Sequence, residues 1–390
     1  MVAQPATASR YHALDALRAA MMFLGIYLHA VVAYSPIGGW PYKQLQLTTA
    51  LDWSTGLTHV FRMPIFYVMA GFFTALLLQR YGFRRSVGNR FWRIVVPFVV
   101  GWIILFPLVM FLAAIGRRGL GPAVDFILSG HFLAYAHPLH LWFLEYLIVL
   151  YLLAIVAVVG VRLLLTENIR TWLLRLFRSA VQSLWAPLIF AVPSFLAMLL
   201  MNRPWLEDPP SFVPVPRIVI VYAIPFAFGW LLYLSADLLE TLSRRAWLYA
   251  ALAVVASVAY LAGFRLPVDR ETAFYLMRGL HSVALWLLIF AVTGLFLRYL
   301  GGHSALGRYL CDSSYFLYLA HMPVIMAFQL LLRDVALPPL AKIPLVLAAT
   351  IAVLLPLYRY AVRPTFVGAV LNGRRYPGAL TLQSSPPARA

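Results

Sequence analysis

Residues 14–30 read LDALRAAMMFLGIYLHA, a largely apolar run that contains Asp15, Arg18 and His29. The run belongs to an apolar segment of about 20 residues, the length that a helix needs to cross a bilayer. On such a helix the eleven steps from Arg18 to His29 turn about 1100°, close to three full turns, and rise about 16 Å. We therefore expect Arg18 and His29 on one face of a first transmembrane helix, with Asp15 one turn before Arg18 and able to pair with it.

The composition of the whole chain is that of a membrane protein. Hydrophobic residues make up 63% and charged residues 11% of the 390 residues, whereas soluble domains average about 25% charged residues. A water-soluble fold of this size has no place to bury so many apolar side chains, so the composition predicts an all-α, polytopic membrane helical bundle in the lipid bilayer. The net charge of +18 does not indicate a nucleic-acid partner, because no nucleic-acid-binding motif accompanies it.

Ten apolar segments are long enough to cross the bilayer. They lie near residues 17–35, 56–78, 94–115, 141–161, 184–201, 217–235, 246–264, 275–297, 309–332 and 343–361. Because ten is even, both termini are predicted on one side of the membrane. The termini and the even-numbered loops carry about twice as many Arg and Lys residues as the odd-numbered loops, and such residues stay in the cytoplasm. We therefore predict a multi-pass protein of the cell inner membrane with both termini cytoplasmic.

Further ionisable side chains lie in the apolar segments at the predicted depth of His29. They are His59 and Arg62 in the second segment, His140 and Glu145 in the fourth, Arg278 and His281 in the eighth, and His321 in the ninth. Ionisable groups at membrane depth are costly and usually mark a cavity or a pathway. Together these residues predict a hydrated cavity open to the periplasm, although each one alone fits a structural role.

A basic cluster lies between the second and third segments, where residues 79–97 read QRYGFRRSVGNRFWRIVVP. Guanidinium groups fit phosphate oxygens, so Arg84, Arg85, Arg90 and Arg93 are candidates to bind the phosphates of coenzyme A or of a lipid head group. The positive-inside rule alone also explains a cluster of this kind. Both interpretations stay open at this stage.

The combination of these segments resembles the acyltransferase-3 family of integral-membrane O-acyltransferases. The matching segments are Arg18, ten residues and His29 in the first helix, RMPIFYVMAGFF from Arg62, RFWR from Arg90, HLWFLEYL from His140, and SYFLYLAHMPV from Ser314. The single-domain length and the wording AMMFLGIYLHA most resemble the glucan-biosynthesis branch, whose members succinylate osmoregulated periplasmic glucans. The resemblance covers most of the apolar part of the chain.

This resemblance implies an acyltransferase-3 membrane domain over residues 1–363. It implies a cytoplasmic acyl-CoA or similar thioester as the acyl donor, and a hydroxyl of a periplasmic glycan as the acceptor. The acyl group is expected to be succinyl or acetyl, and no bound cofactor or metal is expected. Residues 364–390 are rich in Gly, Pro, Ser and Arg, which predicts a disordered cytoplasmic tail.

On this hypothesis His29 is the general base that takes the proton of the acceptor hydroxyl, because imidazole titrates near neutral pH. Arg18 stabilises charge on the donor, and Asp15 orients Arg18. Arg62 and His321 are candidates to stabilise the oxyanion or to hold a carboxylated acyl group such as succinyl. A covalent acyl-histidine intermediate stays open as an alternative to direct transfer.

Glu145 is a further catalytic candidate, and Arg84, Arg85, Arg90 and Arg93 are the candidates for donor binding. The main alternative function is a transporter or flippase of a sugar or lipid-linked intermediate, because polar groups at depth also line substrate pathways. A non-catalytic membrane scaffold is a third possibility. The oligomeric state is not predicted.

Overall fold

The fold consists of helices, and no strand occurs among the residues that the computed structural model describes, which are 11–302, 304–373 and 376. The α-helices are α1 (His12–Val32), α2 (Asp52–Arg90), α3 (Val96–Arg118), α4 (Leu120–Leu128), α5 (Trp142–Leu164), α6 (Glu167–Gln182), α7 (Ala186–Met198), α8 (Pro216–Leu234), α9 (Leu238–Arg244), α10 (Ala246–Gly263), α11 (Arg270–Tyr299), α12 (Ala305–Leu331), α13 (Pro339–Leu357) and α14 (Phe366–Asn372). The predicted all-α class is confirmed.

Eight helical stretches of the described chain are long and apolar enough to cross a membrane, and a ninth is obtained if α6 and α7, bent by 116°, form one span. The chain is therefore a multi-pass membrane protein. The predicted segment 184–201 corresponds to α7 alone, which has 13 residues. Residues 162–183 are a loop in the predicted span arrangement, whereas the structure has α6 within them. Thr166 caps the first turn of α6 by accepting from the backbone N–H of Ile169.

The longest of these stretches, Asp52–Arg118, has 67 residues and would measure about 100 Å as one straight helix, far more than the bilayer core. It reverses at Gly82, which has a φ of 72°. Arg90 Nη2 donates to Thr74 Oγ1 at 3.0 Å, although sixteen residues of straight helix would separate their backbones by about 24 Å. The stretch thus contains two spans, the predicted second and third, and the predicted total of ten is reached with α6–α7 as one span.

Helix α1, which carries the first predicted motif, packs most closely against α12 and also contacts α2, α11 and α13. Helix α2 is held in turn against α8, where Gly71 and Gly229 bring the two backbones together. A Cβ atom on Gly71 would overlap the carbonyl of Phe226, and one on Gly229 would overlap the carbonyl of Val68. Small residues allow this close packing of membrane helices, which sets the position of the polar residues on α2.

The C-terminal segment departs from the sequence-based expectation. Residues 366–372 form the short helix α14, and Leu371 on this helix is buried. The carbonyl of Leu371 accepts from Arg93 Nη2 at 2.9 Å. The prediction of disorder is therefore wrong for Phe366–Asn372, because apolar side chains and a basic partner hold this stretch on the bundle. Residues 374, 375 and 377–390 of the predicted tail lie outside the described part of the chain.

Candidate active site

Three imidazole rings from separate parts of the chain meet beside α1. His29 belongs to the last turn of α1, His321 lies in the middle of α12, and His140 lies in a short 3-10 turn just before α5. The ring centroid of His321 is 5.0 Å from that of His29 and 5.0 Å from that of His140, and the centroids of His29 and His140 are 6.2 Å apart. The sequence placed these residues at one depth, and the structure brings them into contact. We call this trio the histidine end.

Direct hydrogen bonds tie two of these rings together and to the backbone of α12. His29 Nδ1 lies 2.8 Å from His321 Nε2. His321 Nδ1 lies 2.7 Å from the carbonyl oxygen of Tyr318 and 3.1 Å from that of Leu317. His321 is fully buried, whereas His29 keeps part of its surface exposed. The available nitrogen of the pair is therefore His29 Nε2.

His140 is held by a carbonyl that a proline leaves free. In an α-helix the carbonyl of Leu319 would accept from the N–H of residue 323, but Pro323 has no N–H. His140 Nε2 donates to this carbonyl at 3.1 Å, and Tyr318 Oη donates to the carbonyl of His140 at 2.7 Å. Leu139, the residue before His140, has a φ of 54°, a strained conformation for a leucine that costs of the order of 1–3 kcal/mol. The fold thus maintains His140 in place against a local conformational cost.

A buried arginine approaches His29 from α2. Arg62 is 8% exposed, and an added Cβ atom on Gly25, one turn before His29, would overlap Arg62 Nη1. The Nε of Arg62 is buried without a hydrogen-bond partner, and within the described part of the chain no ion pair joins Arg62 to a carboxylate. Asp208 is close enough to Arg62 for their charges to interact, but it forms no ion pair with the guanidinium. A buried guanidinium in this situation favours an anionic ligand, because an incompletely paired buried charge is costly. The position beside His29 suits a negative charge on a reacting or recognised group.

The loop between α1 and α2, residues 33–51, covers the histidine end. Trp40 lies with its ring centroid 5.3 Å from that of His29, and its Nε1 donates to Gln329 Oε1 at 3.1 Å. The amide nitrogen of the same glutamine donates to the carbonyls of His29 and Ala30. Gln329 therefore connects α12 to both the loop and the end of α1. Trp40 and Gln329 are not among the residues predicted from sequence, although an amide within an apolar span is a polar signal of the same kind as the buried histidines.

At the other end of α1, Arg18 forms the expected ion pair with Asp15, with a nitrogen–oxygen distance of 3.3 Å. The side chain of Arg18 is 34% exposed and lies over the ring of Phe73. Arg93 is close enough to both Arg18 and Arg90 for their charges to interact. We call Arg18, Arg90 and Arg93 the arginine end.

The basic cluster before α3 divides into residues with different surroundings. Arg93 lies in a π-helical turn, Phe91–Val95, and its carbonyl accepts from Tyr315 Oη at 2.7 Å. Arg93 and Arg85 line a cavity of about 480 Å³ that α14 closes on one side. Arg90 lies instead over the ring of Tyr151 at 5.0 Å, and Arg84 is exposed outside the cavity. The structure thus brings together two of the four predicted donor-binding arginines in one cavity.

Other predicted residues of the outer cluster do not join the histidines. Arg278 donates to the carbonyls of Met198, Met201 and Phe274, so it caps the end of α7 and has a structural role. His281 is fully buried, packs edge-on against Tyr260 at 5.2 Å, and has neither ring nitrogen hydrogen-bonded. Glu145 is buried, and its Oε2 has no hydrogen-bond partner. None of these three side chains is hydrogen-bonded to the histidine end.

No cluster of His, Cys, Asp or Glu that could hold a metal ion occurs in residues 11–302, 304–373 and 376. The single cysteine, Cys311, is buried. The site is therefore built from imidazole, guanidinium and backbone groups.

The model of a family described as "Acyltransferase domain" matches residues 11–359. Among curated proteins, the chain is 26% identical over 337 residues to "Glucans biosynthesis protein C" of Escherichia coli (strain K12), covering 83% of this chain and 84% of that protein. It is 26% identical over 340 residues to the protein of the same name from Salmonella paratyphi B, covering 82% of this chain and 84% of that protein. No solved structure matches this chain.

Proposed function

Because this chain belongs to the acyltransferase family whose model matches residues 11–359, we propose that it transfers an acyl group from a cytoplasmic acyl-CoA-type thioester to a hydroxyl of a periplasmic glycan. The name of its relatives, Glucans biosynthesis protein C, supports a glucan as the acceptor. The excess of basic residues at the termini and in the even-numbered loops supports an inner-membrane location with both termini cytoplasmic. In this orientation the arginine end faces the cytoplasm and the histidine end faces the periplasm.

The observation that supports the proposal most strongly is the partly exposed His29, which has one nitrogen engaged by His321 and the other available. His29 Nε2 takes the proton of the acceptor hydroxyl as the hydroxyl oxygen attacks the thioester carbonyl carbon. The tetrahedral intermediate then expels the thiolate, which receives the proton from His29. The products are an ester of the glycan and the free thiol of the donor.

Arg62 has the position and the charge to act on the acyl group. Its guanidinium is buried next to His29 without a carboxylate partner. A donor of this kind stabilises the oxyanion of the tetrahedral intermediate, or it binds the free carboxylate of a succinyl group. His321 does not serve as an oxyanion donor in this arrangement, because both of its nitrogens are engaged by His29 and by backbone carbonyls.

The arginine end supplies the binding site for the donor. Arg93 and Arg85 line the cavity beneath α14 and suit the phosphates of an acyl-CoA, with Arg84 and Arg90 extending the positive charge around it. Arg18, held by Asp15, is close enough to Arg93 for their charges to interact. The rise of about 16 Å along α1 from Arg18 to His29 is the distance that the extended arm of the donor must span for its thioester to reach His29.

The test is an assay of the purified protein in lipid nanodiscs with acyl-CoA and periplasmic glucan. The wild-type protein is expected to release the free thiol and to yield acylated glucan detectable by mass spectrometry. The variant His29→Ala is expected to lower the turnover by about 10²–10⁴-fold, the usual contribution of a general base. His281→Ala, a buried histidine outside the site, is the matched control and should keep its turnover. An intact thioester with the wild-type protein would contradict the proposal and favour transport instead.

A further inference from the structure

We infer that His321 is a positioning residue that fixes the tautomer of His29 and so determines which nitrogen of His29 acts as the base. This inference rests on the proposed function and adds to it a role for a second histidine. The inference is based on a chain of hydrogen bonds that runs from the backbone carbonyls of α12 to His321 and from His321 to His29.

The first step is the protonation of His321 Nδ1. This atom lies 2.7 Å from the carbonyl oxygen of Tyr318 and 3.1 Å from that of Leu317. A carbonyl oxygen only accepts hydrogen bonds, so Nδ1 must carry the proton and donate it. Both carbonyls belong to the same helix as His321, three and four residues earlier, so the helix itself imposes this arrangement.

The second step is the state of His321 Nε2. In a neutral imidazole one nitrogen donates and the other accepts, so Nε2 presents a lone pair. The neutral form is the one compatible with the surroundings, because the ring is fully buried beside two further imidazoles and the Arg62 guanidinium. No carboxylate of the described residues forms an ion pair with His321.

The third step is the effect of the His321 tautomer on the tautomer of His29. Its Nδ1 lies 2.8 Å from His321 Nε2, and since Nε2 accepts, Nδ1 of His29 must donate. The lone pair of His29 is then on Nε2, the nitrogen that has no hydrogen-bond partner among the described residues. When His29 Nε2 takes the proton of the acceptor hydroxyl, the bond from Nδ1–H to His321 strengthens and stabilises the imidazolium. No carboxylate is needed for this orienting role, which in serine hydrolases belongs to an aspartate.

The inference predicts how two substitutions of His321 differ. In His321→Gln the amide oxygen can accept from His29 Nδ1–H, so kcat should stay within about tenfold of the wild-type value. In His321→Leu no acceptor remains, and kcat should fall by about 10²-fold or more, whereas KM for the acyl donor should not change because the donor phosphates bind at the arginine end. His281→Leu, which removes an equally buried histidine with no hydrogen bond, is the control for lost volume and should keep kcat.

Nitrogen-15 magnetic resonance of histidine-labelled protein in lipid reads the tautomer without any turnover. The resonances of His29, assigned by their loss in His29→Ala, should show a protonated Nδ1 and an unprotonated Nε2 in the wild-type protein and in His321→Gln. In His321→Leu this preference should disappear. A wild-type His29 protonated on Nε2, or a His321→Leu variant that folds and keeps its kcat, would overturn the inference. An inactive wild-type protein with the expected spectrum would instead overturn the proposed function.

Discussion

The two ends of α1 differ in how the protein treats charge. At the histidine end, His321 is buried and hydrogen-bonded to backbone carbonyls, and His29 is hydrogen-bonded to His321. At the arginine end, Arg18 is partly exposed and Arg93 donates to a carbonyl of α14 at the rim of a cavity. On our proposal, the first arrangement fixes the direction of a proton transfer, and the second leaves cations available for an anionic donor.

On our proposal, one helix serves two separate tasks, a chemical one at its histidine end and a binding one at its arginine end. Substitutions at the histidine end should act on the chemical step and therefore on kcat, because groups that act only in the transition state change kcat. Substitutions at the arginine end should act on donor binding and therefore on KM.

The largest effect after that of His29 is expected for Arg62. Arg62→Leu removes a guanidinium beside His29 that forms no ion pair within the described residues, so kcat should fall by about 10²–10³-fold, as for other oxyanion donors. The thermal stability of the protein should not fall, because no ion pair is lost. The measurement is steady-state kinetics together with a thermal unfolding scan.

A second buried arginine gives the matched comparison. Arg278→Leu leaves the carbonyls of Met198 and Met201 without their donor, which costs about 1–3 kcal/mol for each unpaired buried group. We expect a lower unfolding temperature and an unchanged kcat in the remaining folded protein. Loss of stability in Arg62→Leu with normal kcat would contradict the assignment of the two arginines.

At the arginine end, Arg93→Ala should raise KM for the acyl-CoA by about 10–100-fold, because one charge-assisted phosphate contact contributes of the order of 1.5–3 kcal/mol. The value of kcat at saturating donor should stay close to that of the wild-type protein. Arg175→Ala, which removes an exposed arginine on α6, is the control for a change of net charge. A fall in kcat with unchanged KM would break the division between the two ends.

The smallest effect is expected for Pro323→Ala. The new N–H of residue 323 can bond the Leu319 carbonyl, which now accepts from His140 Nε2, so the two donors compete for one oxygen. We expect a few-fold decrease of kcat and a slightly higher unfolding temperature, because a proline inside a helix is removed. Kinetic and thermal measurements on the same preparation test both. A kcat as low as that of His321→Leu would mean that His140 has a larger role than the geometry assigns to it.

Much of the fold can be predicted from the sequence, because the apolar segments show which residues cross the bilayer and how deep each residue lies in it. Three kinds of prediction depend only on the residues of a single helix. They are the spans other than α6–α7, the shared face of Arg18 and His29, and the pairing of Asp15 with Arg18. The amphipathic helix α6 and the terminal helix α14 did not follow, because neither is long and apolar enough to be identified as a span. Helix α14 depends on a partner, Arg93, that is 278 residues away from Leu371 in the chain.

The site was only partly predictable for the same reason. Sequence gives the depth of His29 and His321, but their contact depends on the rotation of two helices whose residues are 292 positions apart. Sequence also placed Arg278 among the functional candidates, because its partners are backbone carbonyls that carry no residue-type signal. Gln329 was not predicted, although it connects α1, α12 and the covering loop, because its partners are far away in the chain.

The central claim is that the acyl group travels along α1 from the arginine end to the histidine end and so crosses the membrane. Sealed vesicles containing the oriented protein test it, with acyl-CoA present only on the side of the termini and glucan only on the opposite side. If the acyl group crosses the membrane, acylated glucan should form on the glucan side. At subsaturating donor, His29→Ala and Arg93→Ala should both reduce the rate of its formation. Product that forms only when donor and glucan share one compartment would contradict it.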